Sequence, residues 1–418
     1  MNENVINDAL LSRQPVLDPN HELVGYELKL QSVADAALPP AYDASQAAAL
    51  ICAAYADLGI NSALGKNIAF LRIDPGFIHD DAIEVLPPDA VVLELVLDAA
   101  PDERTLQRCR ILRERRYPLA LGNYTGLDER SRPLLTLLDV IKIDVRQHGD
   151  DGLAELAGPL ARLPLKLLAK GVESRETMER CKKIGFQLFQ GNYFARPEIV
   201  SGRRLLASQM SLIQLINLAS RDTDTAKIEE GFKHEPALAV NLLRIVNSVG
   251  YGLNRRVSSL RHAITLLGRR QLQRWLQLLL MTPAGGTPDA SRSPLLQIAA
   301  LRGRMMEMLI QQGYPRDGKL ADQAFITGIM SMMPAALGLP MNEIFEQITL
   351  ETSVMDALSS HAGALGKTLA LLECFDADDK QGCLRVLGEL PATNLSLNTL
   401  NACLVESLRW VNGSAAGD

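Results

Sequence analysis

The chain has 418 residues, 47% of them hydrophobic and 22% charged, with a formal net charge of −6. That length exceeds one ordinary core and suits two soluble globular domains of about 200 residues each. The mild acidity points away from a general binder of nucleic acid or anionic membrane.

In chain order, the first half alternates short apolar runs with helical patterns. Val24 to Leu30, Ile68 to Ile73, Val91 to Leu97, Pro118 to Leu121, Val140 to Val145, Leu165 to Ala169 and Phe186 to Phe189 read as strands. Several are apolar on both faces, as parallel strands covered by helices are. Ser45 to Leu58, Asp102 to Arg116 and Ser174 to Ile184 read as helices, the last with Ser174 as N-cap and Gly185 as its C′ residue. The alternation predicts an α/β domain with a parallel sheet, open or closed into a (β/α) barrel. After about residue 203 the pattern turns all-α. Leu205 to Ala219, Thr225 to Lys233, Pro236 to Val246, Ser259 to Leu267 (stopped by Gly268) and Arg270 to Met281 read as helices, with more to Trp410. Thr282 to Ser293 reads as a loop and Gly413 to Asp418 as a frayed tail. The expected domains are 1–200 and 201–412, joined closely because Ser201 to Leu206 offers little flexible linker.

No signal-peptide pattern opens the chain, and no apolar run reaches the roughly 20 residues that span a bilayer, so a cytoplasmic location with no membrane partner is expected. Cys52, Cys109, Cys181, Cys374, Cys383 and Cys403 lack CxxC spacing and read as reduced thiols. The histidines show no metal-ligand spacing, and His79-Asp80 lies in a polar stretch without distant partners. Arg255, Arg256, Arg261, Arg269, Arg270 and Arg274 form the densest basic patch. Without interleaved aromatics beyond Trp275, it reads as a solvated helix face with acidic neighbours rather than a nucleic-acid surface. The Met305, Met306, Met308 and Met330, Met332, Met333 groups read as core.

Strand ends are where barrel chemistry sits, and they carry Glu27, Glu94, Lys142, Glu173 and Gln190, with Arg72, Gly122, Asn123 and Lys170 beside them. A single Glu or Lys at a strand end is ordinarily a solvated or paired residue. Here, however, Gly25-Tyr26-Glu27-Leu28-Lys29, Leu93-Glu94-Leu95, Ile141-Lys142-Ile143-Asp144, Ala169-Lys170-Gly171-Val172-Glu173 and Gln190-Gly191-Asn192-Tyr193 follow one another in a single order. That order resembles EAL domains, barrel phosphodiesterases that open cyclic di-GMP. The second half resembles an HDOD domain, a helical relative of HD phosphohydrolases, through His234-Glu235-Pro236-Ala237-Leu238, Leu242 to Ser248, and Ala324 to Ser331. Where HD enzymes carry their His-Asp pair, this chain has Ser331-Met332. The resemblance implies a TIM-like (β/α) barrel of EAL type followed by a helical HDOD domain.

The resemblance also implies magnesium or manganese, held as a pair by carboxylates. Glu27 and Glu94 match family ligands, Lys142 the family lysine, and Glu173 and Gln190 the two later motifs. Gln31 stands where a phosphate-reading arginine is expected, Arg72 at an asparagine ligand, Leu97 at a second acid, Gly122 and Asn123 at paired aspartates, and Lys170 at an acid. Lost acids and gained cations amount to about five charge units, and one unit charge about 4 Å away is worth roughly 4 kcal/mol at an effective dielectric near 20. From this follows an expectation of Arg72 and Lys170 filling the metal space and pairing with Glu27, Glu94 or Glu173, with no cofactor bound. The expected function is then a non-catalytic signalling scaffold that binds partner proteins, and the resemblance further implies barrels paired as a homodimer. The alternatives are a cyclic di-GMP receptor without hydrolysis, or a cyclic di-GMP phosphodiesterase.

Overall fold

The computed structural model describes residues 9–32, 64–65, 67–73, 76–195, 205–220, 223–247, 257, 259–281, 293–390 and 395–415. The expected helix at Ser45 to Leu58, the loop at 282–292, Cys52, Arg255 and Arg256 lie outside the described residues. The chain divides into two units. The first comprises Met1–Phe194 with Glu373–Arg385 and Leu395–Arg409, and the second Ala195–Leu372 with Val386–Asn394 and Trp410–Asp418. Parts of the C-terminal helical stretch therefore belong to the first unit, where a single cut near residue 200 had been expected.

In the first unit a closed barrel runs β1 (Ala9–Leu17), β2 (Leu23–Ser32), β3 (Ile68–Ile73), β4 (Val91–Leu95), β5 (Leu119–Leu121), β6 (Val140–Asp144), β7 (Lys166–Lys170) and β8 (Leu188–Gln190) in sequence order. Neighbours from β2 to β8 are parallel, whereas β1 is antiparallel to both β2 and β8. The seven runs expected as strands all form strands, and β1 is an addition. Helices α1 (Glu103–Glu114), α2 (Asp150–Ala157) and α3 (Arg175–Ile184) cross between later strands. Ser174 caps α3 by accepting the Thr177 amide, and Gly185 ends it at φ 112°, a left-handed conformation open to glycine without strain.

The second unit is helical: α4 (Ala207–Ser220), α5 (Thr225–Lys233), α6 (Pro236–Val246), α7 (Leu260–Leu279), α8 (Pro294–Gly313), α9 (Gly318–Met330), α10 (Met333–Leu337), α11 (Met341–Gln347) and α12 (Thr352–Ser360), with most of α13 (Gly363–Asp376). Gly268 breaks α7 with φ 76°, so the expected stop appears as a kink between two helical halves. Met305, Met306, Met330, Met332 and Met333 are buried, as core residues. Of the basic patch, Arg261 pairs with Glu229 at 2.7 Å and Arg270 with Asp322 at 2.7 Å on the surface. Arg274 departs from the expected solvated face: it is buried, pairs with Glu307 at 2.7 Å and Asp322 at 2.9 Å, and lies over the Phe325 ring. The 20-residue stretch Gly318–Leu337 is long and apolar enough to cross a membrane by length and composition, yet 56% of its most apolar segment is buried inside the protein. α14 (Lys380–Glu389) and α15 (Leu397–Ala415) follow, each contributing residues to the first unit.

Candidate active site

The site is built by side-chain parity. Val16, Phe70, Val92, Ala120, Val140, Leu168 and Leu188 form one apolar cluster contributed by seven strands of the barrel. Side chains alternate along a strand, so the residue two positions on shares the facing of the first. That step leads from Phe70 to Arg72, Val92 to Glu94, Ala120 to Gly122, Val140 to Lys142, Leu168 to Lys170 and Leu188 to Gln190. Glu27 is in register with Phe70, and Gln14 with Glu27, so both join the same set. An apolar floor thus carries a polar layer at the carboxyl ends of the parallel strands.

Four of these groups converge. Lys142, Glu27, Glu94 and Gln190 are 1%, 2%, 3% and 0% exposed, deep enough that an unpaired charge among them would be costly. The Lys142 ammonium donates to Glu94 Oε2 and lies 3.4 Å from Glu27 Oε2. Gln190 Nε2 donates to Glu27 Oε2 and, at 2.7 Å, to Gln14 Oε1, which orients the Glu27 carboxylate. Burial pushes Glu27 upward, but the charges of Lys142 and Lys29, the Gln190 hydrogen bond and the Lys170 charge outweigh it, so its carboxyl titrates below the usual range. Burial pushes Lys142 down, and the two glutamates more than restore it, leaving its ammonium protonated above the usual range. A Cβ on Gly122 would stand 2.5 Å from Glu94 Oε1, so the missing side chain is the space the Glu94 carboxylate occupies.

The other expected site residues stand outside this buried cluster. Arg72, Asn123 and Glu173 are exposed. Lys170 is half-buried at the rim, where burial and, more weakly, the Lys142 and Lys29 charges lower its pKa against the pull of Glu27 and Glu94. Gln31 belongs to β2 opposite Leu10, and its side chain is outside the described residues. The proposed pairing of Arg72 and Lys170 with the glutamates is therefore corrected: the buried cation between Glu27 and Glu94 is Lys142, a residue the charge estimate left out. Arg72 shares the inward facing of Phe70 and is in register with Glu94, yet its side chain is exposed at the mouth, where water screens its charge. Gln14, Lys29 and Arg146 were missed. Arg146 is held by Asp144 through bonds of 2.9 and 2.6 Å, and its Ile-Asp-Val-Arg stretch carried no sign of this.

Among the described residues, no three His, Cys, Asp or Glu side chains gather as a ready-made metal cluster. The donor chemistry nevertheless fits one hard divalent cation. Glu27 and Glu94 already converge on a single positive charge, and magnesium is commonly bound by one or two carboxylates completed by water and substrate phosphate.

Comparison with known proteins places these observations. The EAL domain family matches residues 73–197 and the HDOD domain family residues 206–366. The Vibrio cholerae protein named cyclic di-GMP phosphodiesterase CdgJ is 27% identical over 98% of this chain and 93% of its own length. The Bacillus subtilis protein YuxH is 24% identical over 96% of this chain and 98% of its own. Among solved structures, Klebsiella pneumoniae BlrP1 with calcium and cyclic di-GMP is similar at 22% identity and a TM-score of 0.36, covering 45% of this chain and 55% of that one. The expectation of a chain that is not an enzyme is overturned by the EAL match and by a relative, aligned over 98% of this chain, that bears a phosphodiesterase's name, and both fit the phosphodiesterase alternative better than the non-catalytic scaffold.

Proposed function

The chain carries an EAL domain followed by an HDOD domain, and from that premise we propose that its barrel mouth binds cyclic di-GMP and hydrolyses a phosphodiester bond of it, within a signalling protein. The observation that carries this reading is the buried Glu27–Lys142–Glu94 cluster at the carboxyl-end layer of the barrel, braced by Gln190. Barrel enzymes place their chemistry at that end. The similarity to CdgJ along nearly the whole chain supports the same reading.

Glu27 and Glu94 would hold a divalent cation, which when bound would polarise a phosphoryl oxygen and lower the pKa of a water. The chain's own residues supply the rest. Lys142, kept protonated by its two glutamates, places a fixed positive charge where negative charge builds on the phosphate. Gln190 holds one Glu27 oxygen and thereby the direction of the carboxylate. The apolar layer of Phe70, Val92, Val140 and Leu168 excludes water from below, which strengthens each of these interactions. Lys170 at the rim releases its proton more readily than an ordinary lysine and can serve proton transfer there.

The test is direct. Full-length protein incubated with cyclic di-GMP and magnesium or manganese is expected to yield linear dinucleotide, measured by chromatography, and the Glu27→Gln and Glu94→Gln variants to lose it. Absence of both turnover and binding in the unmodified protein would remove the proposal.

A further inference from the structure

A second polar feature lies in the first unit beside the mouth. A cavity of about 210 Å³ is lined on one side by Arg13, Lys29, Arg146 and Lys170 and on the other by Asp376 and Asp378. The volume equals about seven waters at roughly 30 Å³ each, enough for a phosphate group with part of its hydration. Asp376 is the last residue of α13 and Asp378 lies in the turn before α14, far along the chain from the strands of the barrel. Lys29 Nζ lies 3.2 Å from Asp378 Oδ2, with the side chains 31% and 33% exposed. The contact is thus neither sealed nor fully solvated.

The turn is shaped to deliver these acids. Ala377, Asp378 and Asp379 donate their amides to the carbonyls of Glu373, Phe375 and Cys374 at 3.0, 3.1 and 2.9 Å. Asp378 itself takes φ 62°, a left-handed conformation uncommon outside glycine, asparagine and aspartate. Asp379 does a different job, since its Oδ1 accepts the Gly382 amide at the start of α14. On the opposite wall, Arg146 is already matched by Asp144, and Arg13 lies over the Tyr26 ring. Of the four cations, Lys29 is the one whose ion pair with the turn is seen, so it is the cation on which the turn and an incoming anion would compete.

We propose that the Asp376–Asp378 turn is an acidic gate on this cavity. It holds Lys29 through the contact that a phosphate oxygen of the ligand would otherwise make, and anion entry requires the turn to give way. The idea rests on the reading of the mouth as a cyclic di-GMP site and adds regulation to it: whatever stabilises the turn against the barrel lowers ligand affinity, and whatever loosens it raises affinity. Ligand and turn are mutually exclusive on one ammonium, so their effects are reciprocal.

The experiment uses the full chain, with Asp376 and Asp378 both changed to Asn and Asp379 left in place. Calorimetry at low salt compares the variant with the unmodified protein for two probes, pyrophosphate and cyclic di-GMP. Both are expected to bind about tenfold more tightly to the variant, because the competing carboxylates are gone. Tightening for pyrophosphate alone keeps the gate and removes the cyclic di-GMP reading. Equal pyrophosphate affinity in the two proteins overturns the gate, whatever the dinucleotide does. Adding Lys29→Gln to the variant should abolish the gain, and a gain that persists overturns the assignment to Lys29. Hydrogen exchange on the unmodified protein gives a readout free of mutation: the 377–379 amides should exchange faster with saturating pyrophosphate, and unchanged exchange counts against the gate.

Discussion

The Lys142 ammonium decides the energetics of the barrel mouth. Two buried carboxylates share it, so its removal takes from both the cation that neutralises them, with Glu27 keeping only its Gln190 hydrogen bond among the contacts of the cluster. Lys142→Met should therefore lower stability at neutral pH by about 3–5 kcal/mol, measured by urea unfolding. The loss should shrink as the pH falls, because an orphaned carboxylate regains neutrality by protonation. The unmodified cluster has the opposite slopes. Glu27 titrates below its ordinary value of about 4.3, so its stabilising contribution is complete above that value and fades as pH falls through the lower folded-state pKa. Lys142 titrates above its ordinary value of about 10.4, so its contribution is complete below that value and fades as pH rises through the higher one. Urea midpoints collected from pH 3 to 7 should show this acid limb in the unmodified protein, and Glu27→Gln should flatten it.

Among the elements, α8 and α9 cross with backbone against backbone at Gly303 and Gly328. A Cβ on Gly328 would fall 2.7 Å from the Gly303 Cα and amide nitrogen and 2.8 Å from the Arg302 carbonyl, all backbone atoms that cannot rotate aside. Gly328→Ala should force the two helices apart and cost about 1–3 kcal/mol, read as a lower thermal midpoint. Elements also mark how far the sequence could be read. The strands β2 to β8 were legible because burial on both faces writes continuous apolar runs, and Glu27, Glu94, Lys142 and Gln190 were legible because they end or interrupt those runs. β1 was not, since Arg13, Gln14 and Pro15 interrupt its apolar pattern, and proline lacks the amide that a central strand needs. Gln14, which braces Gln190, was hidden with it. The role of Lys29 was hidden for another reason: its partner Asp378 is 349 residues away, and no local pattern reports a contact at that separation.

For the whole molecule, the division of the chain matters more than its order. Among the described residues β1 meets β8 at Val16 and Leu17 alone, and none of them supplies a strand partner to the earlier part of β1 on that side. The Leu11 amide is instead satisfied by Asn401 Oδ1 at 2.9 Å, a side chain of α15. Asn401→Ala should strand a buried donor and cost about 1–3 kcal/mol in urea unfolding. A fragment of residues 1–200 should melt well below the full chain for the same reason, because Glu373–Arg385 and Leu395–Arg409 are missing from its unit.

That arrangement has a consequence during synthesis. Domains commonly mature in the order in which they leave the ribosome. Here the first-made barrel must wait, with its Leu11 amide uncovered, until Asn401 has been translated, while the intervening helices can already have condensed. A strand made early is thus completed late, by a carboxamide translated 390 residues after the amide it covers.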